Sequence, residues 1–186
     1  MKVNDNSWFS QKSIFKYLEF VTILGGAYTL WMIFMIVLNT ESPIVVVLTG
    51  SMEPSFNRGD ILVVSNYDKS PQVGDIVVYR IIHGEIPIVH RALEVVEKIS
   101  RKKNDKEMHN FTLSKGDNNF GDDRPIYYDH KAEKNYLFDH EFMGRVRFYF
   151  PLLGYITILF NESPLFKYTV IGLLLLGTLA TKEIKK

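Results

Sequence analysis

Cysteine is absent from the 186-residue chain. That excludes disulfide scaffolds, thiolate-ligated zinc and a thiol nucleophile. It leaves the redox compartment open, because an oxidising compartment permits disulfides without requiring them. An excess of one charge is also missing: 22 basic residues face 21 acidic ones, a formal net charge of +1. The electrostatic footprint of a nucleic-acid binder is therefore lacking, and no nucleic-acid partner is expected. Disorder is excluded too, since 46% of the residues are hydrophobic and only 23% charged. The length suits one domain with appendages.

Charge is missing locally in two places. Between Glu19 and Glu41 lie 21 uncharged residues, and Phe20 to Leu38 is almost entirely apolar. About 20 such residues cross a hydrocarbon core, so a transmembrane anchor is expected over 18–40. The run exceeds the apolar region of a cleaved secretory signal, and no small-x-small pair precedes a usable bond, since Thr40-Glu41-Ser42 is followed by Pro43. Lys2, Lys12 and Lys16 precede the run, and the next basic residue is Arg58. The positive-inside rule then assigns 1–17 to the cytosol and the bulk of the chain to the far side. The second run, Tyr168 to Thr181, has 14 uncharged residues between Lys167 and Lys182. It reads as a short hydrophobic helix over 164–181 that is membrane-inserted, interfacial or packed in a core, followed by a basic tail, 182–186.

The middle, 41–163, reads as mainly β. Ile44–Leu48, Ile61–Val64 and Ile76–Tyr79 are short runs rich in β-branched residues, punctuated by Gly59-Asp60 and Gly74-Asp75. Ile86–Val96, Phe111–Leu113 and Gly144–Phe150 add strands. The stretch 97–107 holds eight charges and reads as a solvated loop. No helix-period stretch of useful length interrupts these strands, so an antiparallel sheet or partial barrel is expected.

Three elements carry chemistry. Thr49-Gly50-Ser51-Met52-Glu53-Pro54 follows an apolar strand; Gly50 allows a sharp turn and Pro54 keeps Glu53 out of a helix, which leaves Ser51 exposed. In Ile86-Pro87-Ile88-Val89-His90-Arg91, His90 is the one histidine set in an apolar strand; His83, His109, His130 and His140 lie in charged or loop-like surroundings. The third element, Lys115 to Arg124, contributes Asp117, Asp122 and Asp123. It is not a calcium loop, since Gly121 and Tyr128 occupy ligand positions of that pattern, and no metal or cofactor is expected. Each element alone is common in turns and strands. Together they supply a nucleophile, a base and an acid, the set that acyl transfer at an amide needs.

These blocks, with Arg58-Gly59-Asp60, Gly74-Asp75-Ile76-Val77, Lys115-Gly116-Asp117-Asn118-Asn119, Gly144-Arg145-Val146 and Pro151–Tyr155, resemble the type I signal peptidases in order and spacing. A histidine at position 90, where bacterial housekeeping relatives carry lysine, resembles the endoplasmic-reticulum branch. The resemblance implies a type I signal peptidase-like antiparallel β domain. The implied activity is a serine endopeptidase that removes signal peptides from pre-proteins after small residues. It implies Ser51 as nucleophile, His90 as general base and Asp123 as its orienter, with Asp117 and Asp122 supporting. The Ser51 N–H and the Thr49 hydroxyl are the implied oxyanion donors; the family usually has serine at position 49. It further implies a single-pass type II protein of the endoplasmic-reticulum membrane with a lumenal catalytic domain. Its partners would be signal peptides, other complex subunits and the lipid bilayer.

Other readings remain beside it. An archaeal or sporulation-type Ser-His signal peptidase would share the chemistry in another membrane. A non-catalytic subunit, or an adhesion ligand displaying Arg58-Gly59-Asp60, belongs to a different class. Asn110-Phe111-Thr112 and Asn161-Glu162-Ser163 match the N-glycosylation pattern at Asn110 and Asn161.

Overall fold

In the computed structural model of the chain, residues 11–68, 70–81, 86–102, 105–128 and 134–184 are described. Lys2, His83, His130, Lys185 and Lys186 lie outside them. Helix α1 covers Gln11–Leu38. Its stretch Ile14–Leu38 has a mean hydropathy of 2.1 and no burial against the rest of the protein. At about 1.5 Å per residue it exceeds the roughly 30 Å of a hydrocarbon core. It is long and apolar enough to cross a membrane, and it fits the expected anchor with slightly earlier bounds. Within it, the Thr22 and Thr29 hydroxyls donate to the carbonyls of Leu18 and Gly25, so neither of these polar atoms needs water.

The helix stops at Asn39, whose φ of 51° is a left-handed C-terminal cap. It is fastened to the sheet there. The Asn66 amide donates to the Leu38 carbonyl at 3.0 Å, the Tyr67 hydroxyl to the Val37 carbonyl, and Thr40 Oγ1 to the Met143 carbonyl at 2.9 Å.

Six antiparallel strands follow: β1 Ile44–Val46, β2 Ile61–Ser65, β3 Ile76–Tyr79, β4 Ile88–Lys102, β5 Asp105–Lys115 and β6 Phe142–Phe150. Their order across the sheet is β1-β2-β6-β3-β4-β5. This is the expected mainly β architecture, and it includes helices: α2 Arg124–Tyr127, α3 Tyr155–Glu162 and α4 Pro164–Ile184.

Three expectations need correction. Within the stretch 97–107, residues 97–102 and 105–107 are paired strand rather than loop: Glu97 pairs with Asn110 and Lys102 with Asp105 along β4 and β5. A run of charges reports contact with water, which a two-stranded ribbon also has, and does not oppose backbone pairing. The strands of 41–163, expected to run without helices, are interrupted by them: α2 lies between β5 and β6, and α3 begins at Tyr155. The C-terminal helix, expected over 164–181, spans Pro164–Ile184 and so runs through Lys182 into the expected basic tail. Lysines are good helix formers and do not end a helix. Among the described residues α1 alone has the length and hydropathy of a membrane span.

Two cores position the site. Val77, Tyr79, Ala92, Leu113, Tyr127 and Leu137 pack on one another around β3, β4 and β5. Val47, Met52, Phe56 and Leu62 form a second core beneath the turn that follows β1.

Candidate active site

The turn carrying Ser51 is held from below and from the side. Met52 is 1% exposed and plugs the second core, which turns its neighbour Ser51 outward. From the side, Asn118 donates its backbone N–H to the Ser51 carbonyl at 2.9 Å and its side-chain amide to the Gly50 carbonyl at 3.1 Å. The Lys115–Asn119 segment therefore fixes the serine turn rather than contacting the histidine.

His90 sits on β4 opposite Val77, 4% exposed. Its Nε2 lies 3.2 Å from Ser51 Oγ and its Nδ1 2.6 Å from Asp123 Oδ2. A carboxylate only accepts, so Nδ1 carries the proton and Nε2 is left free to accept from the serine. Ser51, His90 and Asp123 are thus brought into one hydrogen-bonded chain. Thr49 Oγ1 stands 3.2 Å from Ser51 Oγ.

Asp123 is 1% exposed and reaches the site from the turn before α2. Its Oδ2 also accepts from Tyr79 at 3.0 Å and from the Ser114 hydroxyl at 2.5 Å. The directions follow from the carboxylate, which only accepts: Ser114 gives its hydrogen to Asp123, so the Tyr127 hydroxyl donates to Ser114 Oγ at 2.7 Å while its oxygen accepts the Ser114 N–H at 2.9 Å. Burial, reinforced by the Asp123 charge, holds the Tyr79 phenol well above its ordinary range; burial pushes Tyr127 up to about 12. Both phenols remain donors at neutral pH. Tyr79, Ser114 and Tyr127 were not singled out by sequence. Tyr79 and Tyr127 read as ordinary core aromatics, and the only signal at Ser114 is a hydroxyl at an inward strand position.

The other two acids do not touch the histidine, both of whose ring nitrogens are taken. Asp117 forms a two-point ion pair with Arg91, at 2.8 and 2.6 Å, and accepts from Ser55 at 2.5 Å. Those bonds, the Arg91 one foremost, hold its carboxyl below the usual carboxylate range. Asp122 caps the Arg124 N–H at 3.1 Å and pairs with the Arg124 guanidinium.

Asp60 is 2% exposed and accepts from the Asn57 and Leu152 backbones, so Arg58-Gly59-Asp60 is not displayed as an adhesion ligand requires. Asn110 is buried and its amide donates to Ser70, whereas Asn161 is exposed on α3. Among the described residues no group of three His, Asp or Glu is placed to hold a metal. A cavity of about 400 Å³ opens onto Ser51 and His90, walled largely by apolar residues such as Val46, Leu48 and Ile126. The arrangement can take a proton from Ser51 beside an apolar cleft that suits a peptide.

Residues 16–112 match the family described as signal peptidase, peptidase S26. The Debaryomyces hansenii protein named signal peptidase complex catalytic subunit SEC11 is 43% identical over 168 residues, covering 90% of this chain and 95% of its own. The proteins of the same name from Komagataella phaffii and Ogataea parapolymorpha are 43% and 44% identical, over 93% and 89% of this chain and 98% and 94% of theirs. A family match across half the chain and likeness at this level over nearly its whole length place the chain in the signal peptidase family, peptidase S26.

Proposed function

We propose that the protein is the catalytic subunit of a signal peptidase complex, a membrane-anchored serine endopeptidase that removes signal peptides from pre-proteins. The observation that carries this reading is the chain Ser51 Oγ, His90 Nε2, His90 Nδ1, Asp123 Oδ2, with links of 3.2 and 2.6 Å. The substrate lies extended in the apolar cleft. His90 Nε2 takes the Ser51 proton as Oγ bonds to the scissile carbonyl carbon. The Ser51 N–H and the Thr49 hydroxyl receive the oxyanion. Asp123 stabilises the imidazolium, which then protonates the leaving amine of the mature protein. A water molecule, deprotonated by His90, next attacks the ester carbonyl; the signal peptide leaves as a carboxylic acid and Ser51 regains its proton. Asp117 and Asp122 support the turns without entering these steps.

The wider setting belongs to the same proposal. The membrane is that of the endoplasmic reticulum, with α1 as a type II anchor, 1–17 cytosolic and 41–163 lumenal. The partners are signal peptides, the other subunits of the complex and the bilayer. The test is cleavage of a pre-protein by the purified complex, with the new N-terminus sequenced. The expected cut follows a small residue such as Ala, and Leu or Phe at that place blocks it. Efficient cleavage after the bulky residues would overturn the substrate assignment.

A further inference from the structure

The cavity at Ser51 and His90 does not end there. Four of its wall residues, Val46, Leu48, Ile86 and Pro87, also line a second cavity of about 340 Å³. The new wall of this outer cavity is α3, through Thr157, Ile158, Asn161 and Glu162.

The Arg58-Gly59-Asp60 turn holds that wall in place. The Arg58 guanidinium spans both Glu162 oxygens at 2.5 and 2.6 Å, at the end of α3. The Gly59 carbonyl accepts from the Gly154 N–H at 2.8 Å, at its start. Gly59 lies so close to the Tyr155 ring that a Cβ would stand 2.3 Å from it. Asp60 Oδ1 accepts from the Leu152 N–H at 3.0 Å. The same turn is bonded to Val47, two residues before Thr49, through Gly59 N–H and Asp60 C=O, each at 2.9 Å. The tripeptide is a clasp that ties α3 to the strand leading into the serine turn.

Two features identify the occupant. The outer cavity runs on from the reaction site beside β1, which stands at the edge of the sheet, one side unpaired among the described residues. An extended peptide along that edge passes from one cavity to the other at about 3.3 Å per residue. The outer cavity also lies where both apolar helices join the domain: Ser42 in its wall follows α1 and Glu162 precedes α4. The part of a pre-protein nearest those helices is the part before the scissile bond, which leads back to its own apolar segment. The lining suits such a peptide, with Ile44 and Ile158 for apolar side chains and Thr157 and Asn161 for peptide amides.

We propose that the α3-walled cavity is a binding subsite for the substrate segment more than about three residues before the scissile bond, and that Thr157 and Asn161, on its α3 wall, set how much room is left for that segment's side chains. The proposal rests on the peptidase reading above. It also gives Asn161 a role that excludes its glycosylation, since a glycan there would fill the subsite.

The test uses the full complex and pre-proteins in which Ala, Leu or Trp is scanned from the second to about the seventh residue before the bond. Thr157→Trp and Asn161→Trp narrow the cavity from the α3 side. With Leu or Trp beyond the third residue, KM is expected to rise about tenfold, the scale of one lost side-chain contact in an apolar pocket. With Ala there, or with changes nearer the bond, the rise in KM should be several-fold smaller, so that the loss depends on the side chain beyond the third residue. The Asn161 peptide of active enzyme should have its unmodified mass. The wild-type profile in both variants, an equal loss on every substrate in both, or a glycan on Asn161 of fully active enzyme would each overturn the subsite while leaving the peptidase reading intact. A wild-type complex that cleaves none of the series overturns the peptidase reading, and the subsite with it.

Discussion

Asp123→Asn separates the acids at the site most sharply. The carboxylate is 1% exposed; its Oδ2 accepts from His90, Tyr79 and Ser114, and its Oδ1 has no partner among the described residues. An amide removes the charge that stabilises the imidazolium, and its NH2 must take one of the two oxygen positions. In the Oδ1 position it buries an unpaired donor, at a cost of about 1–3 kcal/mol. In the Oδ2 position it donates to Nδ1, so Nε2 must carry the hydrogen and faces Ser51 as a donor. A buried amide in this role lowers kcat about ten-thousandfold in the serine-protease template, or about 5.5 kcal/mol at about 1.4 per tenfold. The same scale is expected here with KM little changed, because Asp123 lies behind His90 and away from the cleft. Asp117→Asn weakens only the Arg91 and Ser55 contacts that fasten the turns, so its loss in kcat should stay under about a hundredfold. The assay is kcat and KM for one pre-protein with the purified complex, alongside thermal melts. An Asp123→Asn enzyme within about tenfold of wild type would refute the reasoning and remove Asp123 from the chain of proton transfer.

Other outcomes follow from the same geometry. Thr49→Val keeps the shape and removes the hydroxyl 3.2 Å from Ser51 Oγ; kcat should fall about a hundredfold or more, and Thr49→Ser should stay near wild type. Equal rates for Thr49→Val and wild type would leave backbone N–H groups as the only oxyanion donors. Gly59→Ala should destabilise more than Gly74→Ala. Both have φ near +95° (93° and 95°), costing about 1–2 kcal/mol, but only at Gly59 does the new Cβ strike a ring, adding about 1–3 kcal/mol. Equal melting shifts in the two variants would contradict that. Asp117 has its folded-state pKa lowered, chiefly by Arg91, so its contribution to stability is present above its unfolded pKa of about 3.9 and is lost as pH falls below it. Arg91→Gln should therefore flatten the melting temperature against pH between about 5 and 3; an unchanged acid slope would assign that slope to other carboxylates.

Much of this was legible because the informative residues are local. The apolar run Phe20–Leu38, the β-branched strands and the Gly-Asp turns all lie where their composition put them. Ser51 and His90 could be singled out because each breaks a local pattern, a serine in a Gly–Pro turn and a histidine in an apolar strand. What the sequence hid is non-local. Asp117, Asp122 and Asp123 sit within seven residues, and only the fold shows that Asp123 turns inward to His90 while Asp117 meets Arg91. The donors on Asp123, Tyr79, His90 and Ser114, come from β3, β4 and β5, far apart in the chain. The charges of 97–107 suggested a loop because solvent contact and backbone pairing are separate properties. Arg58-Gly59-Asp60 suggested display, whereas a residue 92 positions away, Leu152, claims the Asp60 carboxylate.

The central claim is that Ser51 Oγ, deprotonated by His90, attacks the scissile bond. Pre-protein cleavage by the purified complex carrying Ser51→Ala, free of endogenous enzyme, tests it most directly. The account predicts no processing above the uncatalysed background, with an unaltered melt and unaltered membrane association. Undiminished cleavage by Ser51→Ala would contradict it.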